Sequence, residues 1–557
     1  MNKKKRKKIA IIDCETDPFK YERIPKPFVW GYYDGEKFEY FWGDNEKSIE
    51  KFLLFLMVEE PDYIYAHNGG KFDIHFLLDY VDLEKDILVI NSRFVEISIM
   101  GLKFRDSYAI IPEALGKISG KLDFDYQKME SNEREKYKTE IIEYLKVDCI
   151  ELWKLVTAFI ESYGNHLTAP SASLSMMRKI ESVKIPKLRI QEDKLLRPYY
   201  YGGRTEVFKY GKFKGSINYI DIVSSYPFAM LSFHPFFNVW SSYDNPRINN
   251  IKGCNFYRVF AESAGALPER KENGGIHFPV KEGEFFVTGW ELLTGLKTKT
   301  IKIKKLLYEI DFPETKNFKK FVDYFWDLKN NSKKGTPEYT FAKLMLNSCY
   351  GKFGTNPDKY HRYCITEDSS IIRNAELDID CYTDYKDEIW EPHHSIPNTS
   401  KWVVKKDLLE DEKNFQNVAV SASITGLARS RLWEGIHAVK KSGNEVIYSD
   451  TDSIIYKGNK KIKGIPFGKN LGDWELEDTF TSGSVAGKKL YAFQKPDKKW
   501  KVASKGIRVT PDMVTQMAGD IGRMSVDPNV EIEFKNDSPV FSANSNPRFI
   551  KRTVKMT

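Results

Sequence analysis

Apolar residues crowd into the run 9–15 (IAIIDCE), which predicts a buried strand, and the stretch 62–67 (DYIYAH) predicts another. Strands alternating with helical stretches up to about residue 160 predict an α/β unit. Ile141, Leu145, Leu152, Leu155, Val156 and Phe159 recur at helical spacing, so a long amphipathic helix over 133–163 closes that unit. The Pro- and Ser-containing passage 164–173 marks a boundary. Beyond residue 190 the pattern is mixed, with a strand at 216–221, a helix at 337–350 and a hairpin at 444–456. Two long stretches, 236–328 and 356–416, carry no chemical motif and read as insertions. The chain shows no internal repeat and no low-complexity linker.

A chain of 557 residues accommodates about three to five folded units, and 41% hydrophobic with 14% aromatic residues supplies several cores. Lys and Arg exceed Asp and Glu by 86 to 78, a net charge of +8 that permits nucleic-acid binding without requiring it. The distribution is more informative: carboxylates cluster in short motifs, and Lys and Arg lie between them. A protein binding both a polyanion and divalent cations needs both signs of charge, kept apart. The cysteines (Cys14, Cys149, Cys254, Cys349, Cys364, Cys381) show no CxxC spacing, which argues for reduced thiols and against a zinc site or disulfide framework. The basic run Lys3–Lys8 resembles the start of a signal peptide, but Asp13 and Glu15 interrupt the apolar stretch that follows. It reads as a solvated tail or as a phosphate contact. No stretch approaches the ~18 uncharged apolar residues of a membrane span, so a soluble intracellular protein is expected.

On the first strand Asp13 and Glu15 stand two apart and share a face. Like charges on an apolar strand are costly unless a cation sits between them, and a divalent metal would do this. A solvated acidic turn at a strand edge also accommodates the pair. Tyr65-Ala66-His67-Asn68-Gly69-Gly70-Lys71-Phe72-Asp73 reads as a strand, a glycine turn and a helix whose first turn carries Asp73. Tyr144 and Asp148 lie four apart on one face of the long helix. Each motif is weak alone. As an ordered set they fit two-metal phosphodiester hydrolysis, in which ions ~3.5–4 Å apart activate water and stabilise the leaving oxygen.

A second set begins at Tyr219-Ile220-Asp221-Ile222-Val223-Ser224-Ser225-Tyr226-Pro227, where Asp221 ends a strand and the turn behind it presents Tyr226. Far downstream lies Tyr448-Ser449-Asp450-Thr451-Asp452-Ser453, an acidic pair at a hairpin between apolar arms. Alone this is an exposed acidic hairpin or a metal platform; with Asp221, the platform gains support. Nucleotidyl transfer needs two metals bridging a primer 3′-oxygen and a triphosphate, for which Asp221 and Asp452 are natural anchors. Between the two motifs, Thr336-Pro337 caps a helix on which Lys343, Asn347 and Tyr350 fall at i, i+4 and i+7. A cation, an amide and an aromatic on one stripe could bind a triphosphate and stack a base or exclude a ribose. The same stripe could be a plain surface face whose opposite side (Phe341, Leu344, Ser348) packs inward.

The segment KLMLNSCYGKFGTNP resembles the fingers motif of family B DNA polymerases, especially the protein-primed branch of small tailed bacterial viruses. Asp221 to Pro227 resembles the first palm motif, including Val223 and Ser224, and YSDTDS the third, with Asp450 beside Asp452. Asp13, Glu15, Asp73 and Asp148 resemble the metal ligands of the DEDD-type 3′→5′ editing exonuclease, and Tyr144 the residue that orients its water. Asn68 and Phe72 resemble the residues holding a single-stranded 3′ end, and Lys121 a lysine that assists the branch's exonuclease. His67, Ser107 and Phe76 match positions contacting single-stranded DNA or the priming protein. Tyr200-Tyr201-Gly202-Gly203 resembles the YxGG motif coupling the two sites. Thr425 and Arg429 resemble the TxxxR element, and Lys489 and Tyr491 the KxY motif gripping the primer. Lys505, in Ser504-Lys505-Gly506, weakly anchors a small thumb.

The resemblance covers nearly the whole chain and implies an α/β exonuclease domain with an RNase H-like mixed sheet. It also implies an α+β right-hand polymerase domain with two inserted subdomains. The expected divisions are 1–165 exonuclease, 166–235 linker and first palm part, and 236–328 a priming-protein-contacting insertion. Fingers at 329–355, a strand-displacement insertion at 356–416, palm at 417–484 and thumb at 485–557 follow. It implies two Mg²⁺ or Mn²⁺ ions per site, template-primer DNA, dNTPs and a terminal priming protein as partners, and a monomer in the cytoplasm of an infected bacterium. Two departures stand out: three residues rather than two separate Asn68 from Phe72, and Ser225 replaces a usual leucine. A DNA-primed family B polymerase is the nearest rival, followed by a nuclease with a degenerate polymerase half and a non-enzymatic DNA-binding module. Two intact carboxylate sets would repel a phosphate backbone, which counts against the last.

Overall fold

The first apolar run forms Ile9–Thr16 (β1), an inner strand of a seven-stranded sheet. The computed structural model describes residues 7–19, 23–83, 85–118, 123–272, 274–367, 383–385, 388–396, 399–410, 412–413, 415–505, 509–524 and 532–556. Pro27–Tyr33 (β2), Phe38–Trp42 (β3), Tyr63–Ala66 (β4), Leu88–Ile90 (β5), Arg93–Ile99 (β6) and Leu102–Asp106 (β7) complete the order β3-β2-β1-β4-β7-β6-β5. β1 is antiparallel to β2 but parallel to β4, so the sheet is mixed. The period-2 alternation of β1 sorts its residues. Ala10, Ile12 and Cys14 pack with Phe52, Leu53 and Leu56 of the helix Glu46–Glu59 (α1), while Ile11 packs with Ile141, Tyr144 and Leu145 of Lys138–Tyr163 (α2). Asp13 and Glu15 share the parity of Ile11 and therefore face α2. Gly31 admits that helix, since a Cβ there would meet Leu145 Cγ at 2.8 Å.

A second seven-stranded sheet is built from Thr205–Val207 (β8), Gly211–Ile222 (β9), Glu445–Asp450 (β10), Ser453–Lys457 (β11), Trp474–Gly487 (β12), Leu490–Gln494 (β13) and Trp500–Ala503 (β14). Its order is β14-β13-β12-β9-β11-β10-β8, every pair antiparallel. The expected boundary at 484/485 falls inside β12, and β13 and β14 continue the same sheet. The helix Pro337–Phe353 (α3) matches its predicted start, and Val418–Lys441 (α4) is buried almost all round. Leu432, Trp433, Ile436 and Val439 of α4 pack onto Ile220, Ile222 and Ile454 of the sheet.

The stretch 236–328 holds a four-stranded antiparallel sheet of Ser241–Asp244, Ile301–Asp311, Phe256–Ala264 and Val280–Thr288, with the helix Gly289–Lys297 against α4. The stretch 356–416 forms its own four-stranded sheet. Tyr363, Ile365, Ile396 and Val403 of that sheet join the core of the N-terminal unit. A C-terminal hairpin, Ile532–Ser542 and Ser545–Met556, turns back to the N-terminal unit, where Phe541 and Ala543 are buried.

Candidate active sites

Asp13 and Glu15 emerge from β1 under α2. The chain leaves β4 through Asn68, at φ +64, and the turn Gly69–Lys71, then begins Asp73–Tyr80. That segment is a 3₁₀ helix, and Asp73 is its first residue, at the sheet end. Asp73 Oδ1 accepts a hydrogen bond from the Cys14 backbone N–H at 3.1 Å, which fixes the third carboxylate beside the first two. Tyr144 and Asp148, one turn apart on α2, complete the ring. All of these carboxylates and Tyr144 line a cleft of about 760 Å³ together with Asn68, Phe72, His67 and Tyr126. Glu15, Asp73 and Asp148 are buried to 8%, 2% and 4% exposure.

Burial pushes the Asp73 carboxyl up to about 6, against hydrogen bonds from Cys14 that pull it down. Burial also raises the Tyr144 phenol, followed by its hydrogen bond to Tyr126, whose hydroxyl lies 2.9 Å away, and by the charges of Glu15 and Asp148. Burial and neighbouring carboxylates push the Cys14 and Cys149 thiols up, so both stay protonated. Tyr126 was visible in the sequence, but nothing there indicated that it would meet Tyr144.

The other residues expected near a single strand divide into two groups. His67 lines the cleft, its ring nitrogens 3.0 Å from Ser107 Oγ and 2.9 Å from the Glu113 carbonyl. Ser107 is fully buried and donates to the Ala66 carbonyl, so it orients His67 rather than reaching a ligand. Phe76 packs edge-on against Phe72 at 5.2 Å. Phe541 of the C-terminal hairpin lies against both, a contact no local pattern announces. Lys121 lies outside the described residues.

The second site sits where β9, β10 and β11 meet. Asp221 is paired with Ser453 on β11 and with Glu475 on β12. Asp452 occupies the β10–β11 turn, its carbonyl accepting from the Ile222 N–H at 2.9 Å. Thr451, at φ +59, shapes that turn, and its N–H donates to the Arg204 carbonyl at 2.7 Å. Burial raises Asp221, reinforced by Asp452 and Glu477 and opposed by Lys501; burial and then Asp450 raise Asp452, opposed by Lys489. Asp450 itself is engaged, accepting from Thr205 Oγ1 at 2.9 Å and from Lys489 Nζ at 2.8 Å.

Beyond Asp221, Val223 is fixed by backbone bonds to Asp473 and Gly472, and Ser224, at φ +51, turns the chain into Ser225–Ala229. Tyr226 on that short helix stacks on Tyr350 of α3, ring centroids 4.0 Å apart and 16° from parallel. Lys343 and Asn347 are exposed and Tyr350 half-buried on one stripe, while Phe341, Ala342, Met345, Leu346 and Cys349 form the buried face. Leu344 and Ser348, expected inward, stay partly exposed, because α4 and Ala169–Glu181 clamp α3 from the other side.

Several residues matched to DNA-contacting motifs stand beneath the surface. Thr425 bonds within its own helix to the Ser421 carbonyl. Arg429, 3% exposed, pairs with Glu291 at 2.9 Å and donates to the carbonyls of Tyr201 and Gly202. The Thr425 side chain therefore bonds within its own helix, and the Arg429 side chain holds Glu291 and the 201–202 segment. Tyr491 is buried against Tyr448 at 5.1 Å, Lys505 is exposed, and Tyr200, Gly202 and Gly203 are half-buried. Glu291 was missed: its only sequence signal is the capping box it forms with Thr288, which marks a helix start and not a partner for Arg429.

A divalent ion suits both clefts. Their donors are carboxylate oxygens, the ligands of Mg²⁺ and Mn²⁺, and burial raises Asp73, Asp221 and Asp452 by penalising their charged forms, a penalty that a bound cation would relieve. Among the described residues no three His, Cys, Asp or Glu groups form a ready cage.

A family model described as DNA polymerase type B, organellar and viral, matches residues 121–441. The chain is 37% identical over 583 residues to the DNA-directed DNA polymerase of Enterobacteria phage PRD1, covering 100% of this chain and 99% of that one. It is 25% identical to the DNA polymerase of Bacillus phage Nf, covering 91% of each. The fold matches Phi29 DNA polymerase complexed with primer-template DNA with a TM-score of 0.73, at 19% identity, over 99% of this chain and 100% of that one.

Proposed function

The chain belongs to the organellar and viral type B DNA polymerases and is a DNA-directed DNA polymerase, and on that premise we propose that its two carboxylate clefts divide synthesis from editing. Asp221 and Asp452 hold the ions of nucleotidyl transfer, with Asp450 positioning Lys489 beside them. Bound ions supply charge neutralisation at the triphosphate and a lower pKa for the primer hydroxyl. The primer 3′-oxygen bonds to the α-phosphorus, and pyrophosphate leaves with the electron pair of the broken bond. Lys343 and Asn347 receive the phosphates, the backbone at Val223 and Ser224 cradles them, and the Tyr226–Tyr350 stack forms the floor under base and sugar. Pre-organised donors at developing charge are the largest single contribution to such chemistry.

Asp13, Glu15, Asp73 and Asp148 hold the ions of 3′→5′ hydrolysis. Tyr144, braced by Tyr126, orients the attacking water; Asn68, Phe72 and His67 hold the frayed 3′ end, and Lys121 assists. Two ions per cleft fit the donor sets. The observation that carries this division is the presence of two carboxylate clusters on separate sheets, each with a buried acid whose carboxyl is pushed upward by burial.

Priming by a terminal protein is supported by the position and independent sheet of 236–328, and strand displacement by the sheet of 356–416, which packs on the N-terminal unit. The bacteriophage origin of the PRD1 and Nf polymerases supports work on a viral genome in the bacterial cytoplasm, and the family resemblance supports a monomer. Among the described residues no helix is long and apolar enough to cross a membrane. The test uses a 5′-labelled primer on a template with a downstream blocking strand and Mg²⁺. Shortening without dNTPs and extension through the blocker with them support the proposal. Extension that halts at the blocker points to a DNA-primed polymerase without displacement.

A further inference from the structure

The segment 200–205 is tied at nearly every residue, and the ties come from the first insertion directly or through Arg429 and Trp433 of α4. Arg270 Nη2 donates to the Tyr200 carbonyl at 2.6 Å. Glu291 anchors Arg429, whose Nη1 donates to the carbonyls of Tyr201 at 2.5 Å and Gly202 at 2.9 Å. Arg204, 1% exposed, donates through Nη1 to the Gly265 carbonyl at 2.8 Å and lies between the rings of Phe278 and Trp433. Gly265, Arg270, Phe278 and Glu291 all belong to 236–328.

The other edge of the same segment touches the polymerase site. The Arg204 carbonyl accepts from the Thr451 N–H at 2.7 Å, and Thr205 Oγ1 donates to Asp450 at 2.9 Å. β8 begins at Thr205 and pairs it with Asp450. At Gly203 the approach is so close that a Cβ would lie 3.0 Å from Thr451 and from the Tyr226 hydroxyl. The segment is thus a strap between the first insertion and the turn that presents Asp452.

We propose that Arg270 and Glu291 of the first insertion are positioning residues for nucleotide insertion: through the strap 200–205 they set the Asp450–Asp452 turn and the floor formed by Tyr226. The first insertion then completes the polymerase site on any primer, in addition to whatever partner it docks. The proposal rests on the assignment of Asp452 to synthesis. A misplacement of a fraction of an ångström at such a turn lowers the rate of chemistry while leaving substrate binding elsewhere intact. Neither residue touches the N-terminal cleft.

The test is steady-state dNTP incorporation on a DNA primer-template, with no priming protein present, alongside degradation of a single-stranded oligonucleotide. Arg270 is exposed, so Arg270→Ala removes the tie without opening a core; Glu291→Gln removes the charge and keeps the shape. Expected is a fall in kcat of about 10-fold or more for Arg270→Ala, with KM for dNTP changing less and degradation unchanged. Arg270→Lys restores part of the rate. Glu291→Gln behaves alike, with a larger loss because Arg429 is buried. Unchanged kcat in both variants overturns the proposal, as does parallel loss of both activities with lowered thermal stability. Asp452→Ala runs beside them: if it still extends primers, the underlying site assignment has failed, whereas an inactive Asp452→Ala with a normal Arg270→Ala refutes only the strap.

Discussion

Removing the ring of Phe541 should release the C-terminal hairpin from the N-terminal unit. Phe541 is 8% exposed, with ring centroids 5.1 Å from Phe72, 5.6 Å from Phe76 and 5.4 Å from His75. Each aromatic pair contributes about 0.5–1.5 kcal/mol beyond the area it buries. Adding the lost burial of an interfacial rather than central ring places Phe541→Ala at about 2–4 kcal/mol, toward and below the low end for core Phe→Ala changes. What remains is the Ala543 N–H donating to the Ser92 carbonyl at 3.0 Å and Asn544 Nδ2 donating to Ser92 Oγ at 2.9 Å, each worth about 1 kcal/mol. The hairpin's docking equilibrium should therefore weaken by about 30-fold or more. Hydrogen exchange reads this at the Ala543 amide, which should lose protection by that factor while β9 and β11 keep theirs. Degradation of a single strand should show a raised KM, because Phe72 loses a neighbour, and nucleotide insertion should persist. Phe541→Leu should retain most of the docking. An Ala543 amide exchanging at the wild-type rate in Phe541→Ala would refute the reasoning.

Lys343→Ala should raise KM for dNTP about 10- to 100-fold, the worth of a charged hydrogen bond to phosphate, with little change in degradation; an unchanged KM contradicts its placement. Tyr144→Phe keeps the ring and removes the hydroxyl. Degradation should fall about 10- to 100-fold and synthesis should not, as paired assays on the same preparation will show. The acids predict a link between pH, metal and stability. Asp73 is raised to about 6, so the folded state holds this proton more tightly than the unfolded chain, and stability falls as pH rises from near 4 to about 6. Above that range the folded protein carries ionised buried carboxylates, and a cation relieves them. Adding Mg²⁺ should accordingly raise Tm more at about pH 7.5 than at about pH 5.5, where protons compete, and an equal rise at both would count against metal binding here.

Much of this fold was legible because local patterns carry it. The apolar run of β1, the spacing along α2, the Thr336–Pro337 cap of α3 and the apolar arms of the β10–β11 hairpin all signal within a short window. So does the shared face of Asp13 and Glu15, because strand periodicity is rigid. What was illegible is long-range. Arg429 meets Glu291 across 138 residues, and Phe541 meets Phe72 across 469. A motif match placed Arg429 on DNA, yet burial and two carbonyl bonds commit it to the strap. Ser107 follows the same pattern: the sequence offers a hydroxyl near a cleft, and the fold turns it under His67. The boundary placed at 484/485 illustrates a further limit, since β12 enters the sheet by pairing Trp474 with Ile222 of β9, 252 residues upstream, and β13 and β14 follow it by local pairing. The bond from the Cys14 N–H that fixes the Asp73 carboxylate is likewise tertiary, across 59 residues, and no local propensity encodes it.

The division of labour between the two clefts is open to one decisive comparison. Asp452→Ala and the double variant Asp13→Ala with Glu15→Ala would be assayed on one 5′-labelled primer-template with Mg²⁺, with and without dNTPs, after circular dichroism confirms that each is folded. Asp452→Ala should shorten the primer and never extend it, and the double variant should extend it and never shorten it. If either folded variant loses both activities, or keeps the one assigned to its missing carboxylates, the two-site division is wrong.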